Sequence, residues 1–124
     1  MVNDKSKSRR RRPTKQGVHS ALARLDELIS EAVVDCYNAS EELTGIYTML
    51  EENLGLPFTT KVLGVEVKVE RIDMNDADEI VAICTHGRER QSIPVIDLPL
   101  PDPQPEGAEW IEAYRRWAKL SGRG

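Results

Sequence analysis

The sequence predicts a small α+β domain with two N-terminal helices, a small bent antiparallel sheet or SH3-like barrel, and a C-terminal helix. Two observations lead to this class. Apolar residues recur every three or four positions near both ends of the chain and every second position in its middle, which are the periods of amphipathic helices and half-buried strands. The chain of 124 residues, 40% of them hydrophobic, is also long enough for one modest core.

The formal net charge of −4 is unevenly distributed along the chain. Residues 1–24 hold eight Lys and Arg against one acid, hence +7, whereas residues 25–124 hold nine basic residues against twenty acidic ones, hence −11. Residues 1–16 contain one aliphatic anchor, Val2, and so little apolar surface does not offset the entropy of ordering. We therefore expect a disordered basic tail over 1–16 and a single acidic domain over 17–124.

Two helices are predicted before the strands. Apolar residues at helical spacing from Val18 to Cys36 predict a first helix of about five turns. The second begins near Ser40, which can cap it, and ends by Gly55. Gly45 lies inside this helix, where glycine costs about 1 kcal/mol relative to alanine. We therefore expect another segment to approach the Gly45 backbone closely.

The middle of the chain predicts the sheet. Alternation from Val62 to Ile72 indicates one long strand or two strands with a kink at Gly64. Further strands are expected at residues 80–84 and 91–96, and Pro94 either places the last one at an edge or ends its pairing.

The C-terminal part contains a proline-rich segment and a third helix. Residues 98–105 include four prolines and should form an extended strap. The helix that follows carries Trp110, Tyr114 and Trp117 on one face.

The sequence gives no signal for a membrane protein or an enzyme. No run approaches the roughly 18 apolar residues of a membrane span. The two histidines, His19 and His86, have no nucleophile-elbow context, and there is no glycine-rich phosphate loop. Cys36 and Cys84 are too far apart for a CxxC metal site or a disulfide scaffold. We expect a cytoplasmic, non-enzymatic protein with reduced cysteines.

The break between the first two helices is the main candidate metal site. Asp35, Asn38, Glu41 and Glu42 bring carboxylate and amide oxygens into one short segment, and Ca²⁺ takes about 6–8 oxygen ligands. The EF-hand spacing is absent, so the pattern alone is weak. Alternatively, Asn38 or Ser40 caps the second helix while the glutamates favour its positive end.

Weaker candidate ligands lie further along the chain. Asp73, Asp76 and Asp78 belong to an acidic loop, although Asp and Asn also form ordinary solvated turns through their own hydrogen bonds. Asp97 lies between two apolar residues, so we expect it to be partly buried with an arginine or an ion as partner.

The basic tail suggests an alternative function. Arg9, Arg10, Arg11 and Arg12 can neutralise phosphates, which is typical of a nucleic-acid-binding or adaptor module. The acidic folded part would repel a polyanion, so nucleic acid is not expected to bind there. The tail could also bind the acidic part of its own chain.

Several short segments carry a family resemblance: Val34-Asp-Cys-Tyr37, Glu41-Glu42, Gly45-Ile-Tyr47, Leu50-Glu-Glu-Asn-Leu54, Pro57-Phe58 and Pro94-Val-Ile-Asp-Leu98, together with the tryptophan-bearing last helix. In order and spacing these segments resemble the CcbP-like calcium-binding proteins, which are associated chiefly with cyanobacteria. The resemblance covers residues 27–118 or so.

The resemblance implies a small cytoplasmic protein that binds Ca²⁺ without an EF-hand, as a buffer or a sensor. By position, the family's acids fall on Asp35, Glu41 and Glu42. Asn38 departs from the family, which has Asp or Gly there, and the basic tail is not part of the family pattern.

Overall fold

The computed structural model describes residues 15–122, which form three helices and four strands. In chain order these elements are α1 (Lys15–Ala32), α2 (Ala39–Asn53), β1 (Phe58–Val62), β2 (Val65–Met74), β3 (Ile80–His86), β4 (Glu89–Pro94) and α3 (Ala108–Leu120), with a short 3-10 helix at Val95–Asp97. The predicted α+β class is confirmed. Within the described range, no helix combines the length and the apolar character needed to cross a membrane.

The four strands form an open antiparallel sheet in the order β1-β2-β3-β4. The sheet alternative is therefore confirmed and the SH3-like barrel is wrong, because a barrel requires its edge strands to pair with each other. The strap lies beside β1 instead, where the Thr60 hydroxyl donates a hydrogen bond of 2.7 Å to the Pro99 carbonyl oxygen. Pro94 ends β4, which is the other edge.

The alternation predicted from Val62 to Ile72 falls on β2 from Val65 onward, and Val62 is the last residue of β1, so most of β1 lies before the predicted stretch. Leu63 and Gly64, with φ of 51° and 79°, form a two-residue turn that pairs Val62 with Val65. Positive φ at both central positions is the geometry that joins twisted antiparallel strands tightly. The two-strand alternative is correct, and the predicted kink at Gly64 is a hairpin turn.

Helix α1 ends at Ala32, earlier than the predicted Cys36. The chain turns because Asp35 adopts φ of 65°, and the Cys36 amide donates to the Val33 carbonyl oxygen over 2.9 Å. Asp tolerates this left-handed conformation better than most residues.

The core lies between the helices and the sheet. Its largest fully buried side chains are Leu28, Leu43, Ile46, Leu50, Val69, Ile80, Val95, Leu98 and Ile111. The predicted aromatic face of α3 is buried in the same core, since Trp110, Tyr114 and Trp117 are each at most 4% exposed. Arg115 fixes α3 to the strap, because its guanidinium donates to the carbonyl oxygens of Val95 and Leu98.

Helices α1 and α2 lie against each other at Gly45. A Cβ built on Gly45 would lie 2.2 Å from the carbonyl oxygen of Ala32, the last residue of α1. The predicted close approach to the Gly45 backbone is therefore confirmed. This contact sets the distance between the end of α1 and the first turns of α2.

Candidate metal centre

The break between α1 and α2 is built by a turn and a helix cap. Asp35 lies in the turn after α1, and Asn38 is the N-cap of α2. The Asn38 carboxamide oxygen accepts the Glu41 amide over 2.9 Å, which satisfies one of the unpaired N–H groups at the helix start. Asn38 is thus the cap, and Ser40 is not.

Two glutamates in the first turn of α2 each have one oxygen engaged. Glu41 Oε1 accepts the Tyr37 amide over 2.7 Å, and Glu42 Oε1 accepts the indole N–H of Trp117 over 2.9 Å. Within residues 15–122, the other oxygen of each glutamate and both oxygens of Asp35 accept no hydrogen bond. These four oxygens are the carboxylate acceptors left open at the break.

The three carboxylates act together on one thiol. Burial raises the pKa of Cys36, and the charges of Glu41, Glu42 and Asp35 raise it further. The half-buried thiol lies 3.5 Å from the Glu41 carbonyl oxygen. Asp35 and the two glutamates are therefore all near enough to the Cys36 thiol to act on it electrostatically.

Calcium fits this donor set by its chemistry. The groups are carboxylate and amide oxygens, which hard cations prefer, and the nearby thiol has a raised pKa that disfavours the thiolate a soft metal needs. Across the described part of the chain, no three His, Cys, Asp or Glu side chains are already gathered as tightly as in a preformed metal site. An ion would draw these oxygens together and complete its shell with water or carbonyl oxygens.

The loop between β2 and β3 is organised mainly by its own asparagine. The Asn75 carboxamide oxygen accepts the amides of Ala77 and Glu79 at 2.9 and 3.0 Å, and its Nδ2 donates to Glu79 Oε1. Asp76 and Asp78 are exposed in this loop, Asp78 with φ of 60°. These bonds are those of a solvated turn.

Asp73 lies at the end of β2, away from the tip of that loop. One of its oxygens accepts the Met74 amide over 2.8 Å, and the other is 3.3 Å from the Arg71 guanidinium. Asp97 lies in the 3-10 helix and is exposed. The prediction that Asp97 is partly buried is wrong, because its apolar neighbours turn inward and its carboxylate faces solvent.

Sequence reasoning missed two partners of the acidic residues. Burial raises the pKa of Tyr47, and the nearby charges of Glu51 and Asp73 raise it further. The Tyr47 hydroxyl donates to the Ile72 carbonyl oxygen over 3.3 Å. The spacing of Tyr47 and Glu51 by one helical turn is a signal that would have found their proximity. Trp117 is 75 residues from Glu42, and no local pattern indicates that contact.

The arginines at positions 9–12 lie outside the described residues. Their proposed contact with phosphates stays a prediction.

A comparison with protein-family models shows which family the chain belongs to. The family model Calci_bind_CcbP, described as calcium binding, matches residues 26–118. The chain belongs to the CcbP calcium-binding family. This confirms the resemblance found in the sequence. In this CcbP family member the match covers both acidic segments and leaves out the basic N-terminal segment. Searches of curated proteins and of solved structures gave no significant match.

Proposed function

We propose that this CcbP family member binds Ca²⁺ at the break between α1 and α2. The main support is that Asp35, Glu41 and Glu42 each keep at least one carboxylate oxygen that accepts no hydrogen bond within residues 15–122. All three carboxylates also act electrostatically on the Cys36 thiol. Family membership supports Ca²⁺ as the ion. Asn38 contributes through the second lone pair of its carboxamide oxygen, while the first keeps the helix cap.

The function that these contacts favour is calcium buffering, without catalysis. The two helices are held at a fixed distance by the contact of Gly45 with Ala32, and Glu42 is held by the core residue Trp117. A site on a fixed scaffold binds an ion without opening a new surface. Electrostatic attraction by the acidic part of the chain raises the local cation concentration and is screened by salt.

A sensor is the second candidate, because two apolar side chains flank the site. Val34 is 66% exposed and Tyr37 is 88% exposed. A partner protein that recognises the Ca²⁺-bound state would find this pair beside the ion.

Isothermal titration of the full chain with Ca²⁺ and with Mg²⁺ tests the proposed site. The variants Asp35→Asn and Glu42→Gln remove one charge each, and asparagine also tolerates the positive φ at position 35. The matched control is Asp102→Asn, which makes the same chemical change at an exposed position in the strap. We expect both site variants to weaken Ca²⁺ binding at least tenfold and the control to change it less than twofold.

Mg²⁺ should bind much more weakly than Ca²⁺, because it demands near-ideal octahedral geometry and keeps its water. Absence of Ca²⁺ binding at millimolar concentration would overturn the proposed function. Ca²⁺ binding that Asp35→Asn and Glu42→Gln leave intact would move the site elsewhere, with the loop at 73–78 tested next by Asp76→Asn.

Dye binding separates a buffer from a sensor. A dye that fluoresces on apolar surface should show the same signal with and without saturating Ca²⁺ if the protein is a buffer. A Ca²⁺-dependent increase that Tyr37→Ser abolishes would favour the sensor instead.

A further inference from the structure

The indole of Trp117 connects the candidate site to the core. Trp117 lies on α3 and is 4% exposed, and its Nε1–H donates to Glu42 Oε1 over 2.9 Å. Glu42 is half-buried, whereas Asp35 and Glu41 are exposed. Among the three proposed carboxylate ligands, Glu42 is therefore the one whose position depends on a distant element.

A carboxylate and an indole make a charge-assisted hydrogen bond, which is shorter and stronger than a neutral one. Buried indole N–H groups usually have an acceptor, and breaking this bond would leave the Trp117 N–H unsatisfied. Both partners therefore hold Glu42 in one orientation, with Oε1 occupied and Oε2 accepting no hydrogen bond within residues 15–122.

The indole itself is held by its surroundings. Its ring stacks on Tyr114, with centroids 6.3 Å apart and planes 22° apart. The Tyr114 hydroxyl in turn accepts the Ile80 amide at the start of β3 over 3.3 Å. The orientation of Trp117 is thus set by α3 and the sheet, and not by the flexible side chain that it contacts.

We propose that Trp117 is a positioning residue for Ca²⁺ binding: its indole N–H fixes Oε1 of Glu42 so that the ion is met by Oε2. Partners in the outer shell of a metal site orient the ligands, and their loss typically costs about 10–100-fold in affinity. The inference rests on the proposed function, because it needs Glu42 to be a ligand. It goes further by assigning a role to a core residue that has no metal-binding atom of its own.

Two tryptophans on the same helix supply a matched pair of variants. Trp117→Phe removes the donor to Glu42. Trp110→Phe removes an equally buried indole that makes no hydrogen bond to the described residues. Calcium affinity of the full chain is measured for both by isothermal titration, at a temperature where melting curves show each variant to be folded. We expect Trp117→Phe to raise the Kd about tenfold and Trp110→Phe to change it less than twofold.

A combined variant separates positioning from packing. In a Glu42→Ala protein there is no carboxylate to orient, so adding Trp117→Phe should change the Kd less than twofold. A role of Trp117 in packing alone would weaken binding equally with and without Glu42, since independent effects add.

The unmodified protein gives a readout that needs no core substitution. In a ¹⁵N-labelled sample each tryptophan contributes one indole N–H signal, and Trp110→Phe assigns the two. We expect the Trp117 signal to shift during a Ca²⁺ titration with the Kd found by calorimetry, and the Trp110 signal to stay within a small fraction of that shift. This titration tests the positioning role of Trp117 even if Trp117→Phe fails to fold.

The outcomes distinguish this inference from the proposed function. Two results overturn the positioning role alone. In the first, Glu42→Gln weakens Ca²⁺ binding but Trp117→Phe does not. In the second, the Trp117 indole signal does not move. Equal weakening by Trp117→Phe and Trp110→Phe also overturns it. Absence of Ca²⁺ binding in the unmodified protein overturns both.

Discussion

Replacing Gly45 by alanine is the most direct perturbation of the geometry that the site depends on. The new Cβ would lie 2.2 Å from the Ala32 carbonyl oxygen, whereas an ordinary contact begins near 3.4 Å. The helices would have to separate by about 1 Å, because the clash is with backbone and no side chain can rotate away. The end of α1, and Asp35 beyond it, would then move relative to Glu41 and Glu42.

Two opposing terms set the size of the effect. Overpacking a filled contact typically lowers the free energy of unfolding by about 1–3 kcal/mol, and we take about 3 kcal/mol because the clash is with backbone. Alanine in place of glycine in a helix interior stabilises the helix by about 1 kcal/mol. The free energy of unfolding should therefore fall by about 2 kcal/mol, which corresponds to a decrease of roughly 10 °C in the melting temperature of a domain this size.

The assay combines thermal and chemical unfolding with a Ca²⁺ titration of Gly45→Ala. The control is Thr44→Ala, an exposed neighbour whose hydroxyl donates to the Ser40 carbonyl oxygen over 3.1 Å. It should change the free energy of unfolding by about 0.5 kcal/mol or less. A Gly45→Ala protein as stable as the parent, with unchanged Ca²⁺ affinity, would refute the close packing of α1 on α2.

Three further predictions concern pH, the thiol and the basic segment. The Arg116 hydrogen bond lowers the pKa of Asp26 below its usual 3.8, so the stability that this pair contributes is present above pH 3.8 and is lost as pH falls through the lower, folded-state pKa. The difference in unfolding free energy between the parent and Asp26→Asn should shrink over that acid range, and a constant difference would contradict the pairing. Burial and the three carboxylates raise the pKa of Cys36, so bound Ca²⁺ should lower it and move the pH profile of its alkylation, followed by mass spectrometry, to lower pH. An unmoved profile would place the ion elsewhere. Deleting residues 1–14 should leave Ca²⁺ affinity unchanged while abolishing any retention on nucleic acid, and a tighter Kd after deletion would show that the segment competes for the site.

Local sequence patterns located most elements of the fold, but not β1 and not the closure of the sheet. The change of apolar period after Val62 located β2, and Gly64 marked the turn, because side-chain periodicity and positive φ are local properties. Whether the sheet closes into a barrel depends on its two edges and on what covers them. The contact between Thr60 and Pro99, 39 residues apart, has no local signature.

Some features of the candidate site were likewise visible in the local sequence, and others depend on the fold. The acidic break was visible because Asp35, Glu41 and Glu42 are close in sequence and lie where the first predicted helix ends and the second begins. The sequence alone did not choose between Asn38 and Ser40 as the cap of α2. In the structure Asn38 is the cap, and it follows the turn that the positive φ of Asp35 makes after α1. The bond from Trp117 to Glu42 requires α3 to pack beside α2, and only the folded chain shows it.

A residue-resolved titration shows whether Ca²⁺ binds at the break between α1 and α2. Backbone amide signals of the ¹⁵N-labelled protein should be followed as Ca²⁺ is added at physiological ionic strength. We expect saturable shifts concentrated at residues 35–42, with a single Kd, and small shifts at residues 73–79. Shifts confined to residues 73–79, or no saturable shift at residues 35–42, would contradict binding at this break.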